Sequence, residues 1–390
     1  MPAPDPRLAT RTYGVAPFHV VALSEIAYAL TAQGRDVIMM LPGEPDFGTP
    51  PSVIESATSW LQSGQVRYTQ SFGIPSLRHK ISQYYADRLG VTVPVERIAI
   101  TTGASSALLL ALAATLDKDQ HLLLADPGYP CNRHFARVFE GRATNVAVGP
   151  ESNYQLSAES IGAHWTPDTA GALIASPSNP TGTIVPHDEM AKIADTVAAN
   201  KGTLYVDEIY GELVYDHDPD TILGHTHDAF VINSFSKTFG MTGWRLGWMV
   251  VPEWAVGPLT RLAANMYISA PEVSQHAGVA CFTPEVWAIV AERKAELRAR
   301  RDRLVDGLRT IGFHIPVVPE GAFYVYADCS KFTDDSYAWC MRLLNEEFVG
   351  VTPGVDFGKH RANVHVRFSY TCSQQRITDA LERIQRFVKK

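Results

Sequence analysis

The feature that most constrains this chain is an alternation. From about residue 76 to residue 251, short apolar runs take turns with stretches of helical spacing. The runs expected as strands cover 98–102, 121–125, 144–148, 172–175, 203–206, 229–234 and 246–251. Helical patterns lie between several of them, as at 76–89, 107–116 and 187–200. A strand that returns to the same edge through a helix runs parallel to its predecessor. The pattern therefore predicts an α/β fold with a mostly parallel seven-stranded sheet sandwiched by helices. Past residue 285 the character changes to a long charged helical stretch at 286–308, short strands at 322–327 and 364–369, and a last helix over 374–388. The division expected is a large domain over 48–285 and a smaller α+β domain from 286–390, to which the N-terminal segment 1–47 contributes.

Ligands of such sheets gather beyond the carboxyl ends of the strands. This chain concentrates its polar, glycine-rich and proline-rich segments there. Thr102-Gly103-Ala104-Ser105-Ser106 follows one run and Asp126-Pro127-Gly128-Tyr129 another. Ser176-Pro177-Ser178-Asn179-Pro180-Thr181-Gly182, Asp207-Glu208-Ile209-Tyr210 and Ser234-Phe235-Ser236-Lys237 complete the set. Five such clusters on one edge of one sheet exceed what connecting loops require.

Most lysines sit on the surface, but Lys237 lies directly after an apolar run and between Phe235 and Phe239. Desolvation lowers a lysine's pKa, and a neutral amine attacks carbonyls to form a Schiff base. The Lys237-Thr238 pair lacks the upstream glycines of a P-loop. Arg245 opens the next run, where an arginine serves equally as a structural ion pair or a ligand contact. With the Ser234 and Ser236 hydroxyls and a helix N-terminus at Gly103-Ala104-Ser105, it would make a complete anchor for a phosphate dianion. Asp207 closes an apolar strand and needs a partner: a helix cap, an ion pair, or the ring nitrogen of a cofactor that it keeps protonated. Tyr210 and Asn179 are placed to reach a phenolic oxygen on the same cofactor. In 364–369, Val364, Val366 and Phe368 alternate with His365, Arg367 and Ser369. Arg367 therefore faces either solvent or a substrate carboxylate, which its planar fork suits.

The formal net charge of −7 gives no pull toward nucleic acid or an anionic membrane. The one basic run, 298–303, is mixed with acidic residues and is expected to be the wet face of a helix. The five cysteines (131, 281, 329, 340 and 372) show neither paired nor zinc-like spacing, which fits reduced thiols in the cytoplasm. No apolar stretch approaches the roughly eighteen residues of a membrane span.

These motifs, in this order, resemble the class I/II aminotransferases, the aspartate-aminotransferase-like, fold type I group of pyridoxal-phosphate enzymes. The likeness runs from about Ile38 to the C-terminus. It takes in Leu41-Pro42-Gly43-Glu44-Pro45-Asp46-Phe47, Arg67-Tyr68-Thr69, Gly321-Ala322-Phe323-Tyr324 and Val366-Arg367-Phe368-Ser369 besides the clusters above. The resemblance implies pyridoxal 5'-phosphate as cofactor, held by Lys237 as a Schiff base, with the same lysine shuttling the proton. It implies Asp207 at the pyridine nitrogen, Asn179 and Tyr210 at the phenolic oxygen, and Tyr129 stacked on the ring. Gly103, Ala104, Ser105, Ser234, Ser236 and Arg245 would hold the phosphate. Arg367, Asn179 and the backbone of Gly43 would take the substrate carboxylate. A homodimer is implied, with Tyr68 reaching into the neighbouring site, as are cis prolines at Asp126-Pro127 and Asn179-Pro180.

The reaction implied is transfer of an amino group between an L-amino acid and a 2-oxo acid. A carbon–sulfur β-lyase shares the scaffold. So does a cofactor-sensing regulator, whose DNA-binding module the forty or so residues before Gly43 would not accommodate. Ser105 stands where the nearest-looking aspartate enzymes carry a lysine for a second carboxylate, and Tyr129 where they carry tryptophan. A neutral or aromatic donor is therefore expected, its wall formed by Phe18 and Tyr68. Arg35 or Arg261 would be the candidates for a mobile arginine admitting glutamate.

Overall fold

The structure is a computed structural model, and it describes residues 5–390. Its strands, in chain order, are β1 (Ile38–Met39), β2 (Ile98–Thr101), β3 (His121–Asp126), β4 (Arg142–Ala147), β5 (Thr169–Ala175) and β6 (Thr203–Asp207). They continue as β7 (Ala229–Ser234), β8 (Gly247–Val250), β9 (Tyr324–Asp328), β10 (Val349–Gly350), β11 (Thr352–Pro353) and β12 (His365–Ser369). Seven of them form one sheet in the order β2-β8-β7-β6-β5-β3-β4. The expected seven-stranded α/β architecture is present. β8 alone opposes the others, pairing antiparallel with both β7 and β2.

Helices cover both faces of this sheet, which is why its central strands carry consecutive apolar residues rather than alternating ones. In β6, Leu204 and Val206 pack into the core on one face and Tyr205 into the core on the other. A third core joins the two ends of the chain. Leu23 and Ala27 of the helix His19–Ala32 pack there with Leu304 and Leu308 of the helix Pro284–Ile311 and with Ile377 and Ile384 of the helix Gln374–Val388. The short β1 runs parallel to β10, and β11, β12 and β9 form an antiparallel sheet. Among the described residues no helix is long and apolar enough to cross a membrane.

One expectation is corrected. The basic run 298–303 is not simply a wet helix face: Arg300 and Arg301 are buried. Arg300 bonds Asp46 and Glu296, and Arg301 bonds Asp216 and Asp302. Their guanidinium planes also lie over Phe47 and Tyr215, at 4.9 and 5.0 Å. Partners distant in sequence and aromatic faces compensate the burial, and neither is visible in a run of like charges. For β12 the alternation left one face open to solvent or ligand. All five of its residues are buried, so no face meets bulk water.

Candidate active site

The carboxyl ends of β2, β3, β5, β6 and β7 share one edge, and the antiparallel β8 brings its amino end there too. A cavity of about 300 Å³ opens along this edge. β7 ends at Ser234, whose hydroxyl accepts from the Ser236 N–H at 3.1 Å and so starts the one-turn helix Phe235–Thr238. That turn carries Lys237 into the cavity, where its ammonium donates to the Gly43 carbonyl. Burial depresses its pKa to about 8, outweighing the opposing pull of Glu44. Gly43 itself lies close against Tyr324, whose hydroxyl would come within 2.9 Å of a Cβ there.

Asp207, the last residue of β6, is buried in the cavity wall and accepts one hydrogen bond, from the Ile209 N–H at 3.1 Å. Burial pushes its pKa up to about 6. Tyr210, three residues on, shares a 2.8 Å hydrogen bond with Tyr324 across the cavity floor. Tyr129 and Ser105 line the cavity as well. The Asp126-Pro127 and Asn179-Pro180 bonds are cis, as expected, and so is Ser176-Pro177.

At one end of the cavity Arg245 adopts a left-handed backbone (φ 52°) and donates to the Thr242 carbonyl at 2.9 Å. Its other terminal nitrogen lies against Gly103, where a Cβ would come within 2.6 Å of it. Gly103 precedes the helix Ala104–Thr115, which has no side-chain cap, and Ala104, Ser234, Ser236 and Arg245 all line the cavity. An uncapped helix N-terminus beside a guanidinium suits an anion. At the other end Arg367 is buried, donating to Asn179 Oδ1 at 2.9 Å, the Leu41 carbonyl at 2.6 Å and Thr352 Oγ1 at 3.2 Å. The rings of Tyr324 and Phe357 flank it at 4.4 and 4.9 Å, and its Nε has no partner. Among the described residues none of Lys237, Arg245 and Arg367 forms an ion pair. Arg367 is the buried one of the three, and a buried guanidinium without a carboxylate calls for an anionic ligand.

Nearly every residue expected at the site is found on this cavity. Gly103 stands behind its wall, against Arg245. Tyr68 does not reach it and is 80% exposed. Phe18 forms part of the wall, whereas neither Arg35, packed on the Phe348 ring, nor Arg261 lines it. Val20, Ile209 and the Tyr324 hydroxyl escaped sequence reasoning. For Tyr324 the signal was available, in a Gly321-Ala322-Phe323-Tyr324 motif already singled out. For Val20 there was none, because an apolar residue early in a helix looks like core.

Comparison with known proteins agrees with this geometry. The profile of the family described as aminotransferase class I and II matches residues 35–384. The valine–pyruvate aminotransferase of Mycobacterium tuberculosis is 39% identical over 380 residues, 97% of each chain. The aspartate/prephenate aminotransferase of Thermus thermophilus is 32% identical over 383 residues, 97% of this chain and 98% of its own. The crystal structure of an aminotransferase from Mycobacterium tuberculosis superposes with a TM-score of 0.95 at 38% identity, covering 99% of this chain and 100% of the other. The lyase and regulator readings find no support in these likenesses. The chain belongs to the class I and II aminotransferases and is a transaminase.

Proposed function

We propose that this transaminase carries pyridoxal 5'-phosphate on Lys237 and takes its amino group from neutral amino acids, aliphatic or aromatic. Members of its family depend on that cofactor. The single observation that carries the reading is the set of three unpaired cations around the cavity. Arg245, with Ser234, Ser236, Ser105 and the Gly103-Ala104 turn, suits the phosphate. Lys237 suits the aldehyde, and Arg367 the substrate's α-carboxylate. A bound pyridoxal ring supplies an electron sink for the bond-breaking at the amino acid's α-carbon.

The chain's own residues do the rest. Lys237, with a pKa brought down to about 8, gives up its proton far more readily than a solvated lysine and moves the proton at the α-carbon. Asp207 supplies a negative charge at the cavity wall that keeps a pyridine nitrogen protonated. Asn179 gives its carbonyl oxygen to Arg367 and keeps its amide NH₂ for the phenolic oxygen, beside the Tyr210 hydroxyl. The Gly43 backbone joins Arg367 and Asn179 at the substrate carboxylate, and Tyr129 packs on the ring.

Once the three cations are assigned, no basic side chain lining the cavity remains for a second carboxylate. Position 105 is serine, and the wall is apolar at Phe18, Val20 and Ile209. An unpaired carboxylate there would pay its desolvation uncompensated. A valine–pyruvate enzyme among the relatives supports the same choice. A homodimer in the cytoplasm completes the reading, supported by the exposed Tyr68 and the five free cysteines.

The test is direct. Borohydride reduction and peptide mapping should leave the cofactor's mass on Lys237. In a panel of valine, leucine, methionine, phenylalanine, aspartate and glutamate, a neutral donor should lead aspartate by about tenfold in kcat/KM, or roughly 1.4 kcal/mol of transition-state preference. Aspartate leading by that margin would overturn the donor assignment, and adduct on another lysine the cofactor assignment.

A further inference from the structure

The helix His19–Ala32 begins at Phe18 with no side-chain cap from its own neighbourhood. Its first N–H groups are nonetheless satisfied. The carboxylate of Asp356 accepts from His19 N–H through one oxygen and from Val20 N–H through the other, both at 2.8 Å, across 337 and 336 residues of chain. Asp356 is 2% exposed and does not line the cavity. The residues it grips flank two that do, since Phe18 immediately precedes His19 and Val20 itself faces the cavity.

Asp356 also belongs to the frame that holds Arg367. It ends the turn Gly354–Asp356, which follows β11 directly. Thr352 in β11 pairs with Arg367 in β12 and accepts from its guanidinium, while Phe357, the next residue after the turn, lies against the same guanidinium at 4.9 Å. Arg133 fastens the turn from outside by donating to the Asp356 carbonyl at 2.9 Å. One short segment therefore fixes both the carboxylate-binding arginine and the start of the helix that carries the apolar wall. The chain before it is tied in by an exposed Arg11–Glu140 pair at 3.4 Å and by Gly14 lying against the Arg137 guanidinium, while His19 itself sits tilted against the Tyr337 ring at 4.8 Å.

From this geometry we infer that Asp356 is a positioning residue for substrate selection. It caps the N-terminal helix from the far end of the chain and thereby sets Phe18 and Val20 at a defined distance from Arg367, so that a bound amino acid's side chain meets an apolar wall. The inference rests on the neutral-donor reading for the direction of the effect but not for its existence.

Asp356→Asn tests it, because the carboxamide keeps the volume yet turns an NH₂ toward one of the two N–H donors. Hydrogen exchange at His19 and Val20 should speed up about tenfold, in line with loss of a helix cap. The kcat/KM for valine should fall about tenfold, through KM more than kcat, and that for aspartate about threefold at most, so the ratio narrows. Cofactor affinity should stay within about twofold. Phe18→Ala should narrow the same ratio and leave Val20 exchange unchanged, and it serves as the deciding measurement if Asp356→Asn does not fold. An unchanged donor ratio in either variant overturns the inference, as does unchanged exchange in Asp356→Asn. A wild-type enzyme that favours aspartate overturns the donor reading alone, since the variant-to-wild-type comparison still stands.

Discussion

Lys237 and Asp207 are held at shifted pKa values by one cause, burial, acting on groups of opposite charge. For Lys237 the folded pKa is depressed to about 8. Its charged form is the costly one, so the cost is absent above the ordinary value of ~10.4, grows as pH falls from there, and is fully present below about 8. For Asp207 the folded pKa is raised to about 6. Its cost is absent below the ordinary value of ~3.9 and fully present once pH has risen through 6. Between pH 6 and 8 the cofactor-free protein bears both. Asp207→Asn should therefore stabilise that protein at pH 8, by on the order of 1–3 kcal/mol, and make little difference near pH 4. Melting temperatures of the cofactor-free pair across this range check the sign, and a variant less stable than wild type at pH 8 would show that Asp207 is satisfied from within the fold. The same variant should lose nearly all turnover, because the groups that destabilise the empty cavity are the ones its chemistry uses. Arg367 belongs with them, buried without a carboxylate partner and with an Nε that no protein acceptor reaches.

At the scale of elements the decisive feature is the direction of β8. The parallel strands bring their carboxyl ends to the cavity edge, but Arg245 precedes its strand and would stand on the opposite edge had β8 run with the others. Its antiparallel course carries Arg245 back beside Gly103, Ser234 and Ser236. Sequence alternation alone does not reveal this reversal, since a buried antiparallel strand is as uniformly apolar as a parallel one. Gly103 is the point where strand, helix and arginine meet. Its φ of 82° and ψ of 168° lie in a region essentially reserved for glycine, and the space a side chain would take is filled by the Arg245 guanidinium. Gly103→Ala should cost about 1–3 kcal/mol of backbone strain and displace Arg245, weakening cofactor binding about fivefold or more. Fluorescence titration of the cofactor-free protein with pyridoxal phosphate measures this, and an affinity within about twofold of wild type would remove Gly103 and Arg245 from the anion end.

On the scale of the whole molecule, exposed Tyr68, at 80%, belongs to a stretch whose other ties are to the helix Glu272–Ala280 and its approach, through Arg67 N–H to Glu272 and Thr69 N–H to Ser269. A tyrosine left so open beside a tethered backbone suits the proposed role in a neighbouring subunit's cavity. Sedimentation should accordingly give twice the chain mass of 42.8 kDa, and Tyr68→Phe should weaken cofactor affinity by about two- to tenfold, the worth of one hydrogen bond, without dissociating the dimer. A fully active monomer would refute the arrangement. Much of this protein was legible in its residues alone. Strand–helix alternation determined the layered α/β sheet, and motif order determined which loops meet, because period and turn chemistry are local properties. Lys237, Asp207, Asn179 and Arg367 were named on that basis. Tertiary structure alone decided the rest: that Arg300 and Arg301 are buried among distant acids, that β8 runs backwards, that both faces of β12 are covered, and that Asp356 caps a helix 336 residues away. Each depends on a partner brought close by folding, and the energy of a contact is set by distance in space, of which sequence separation carries no record.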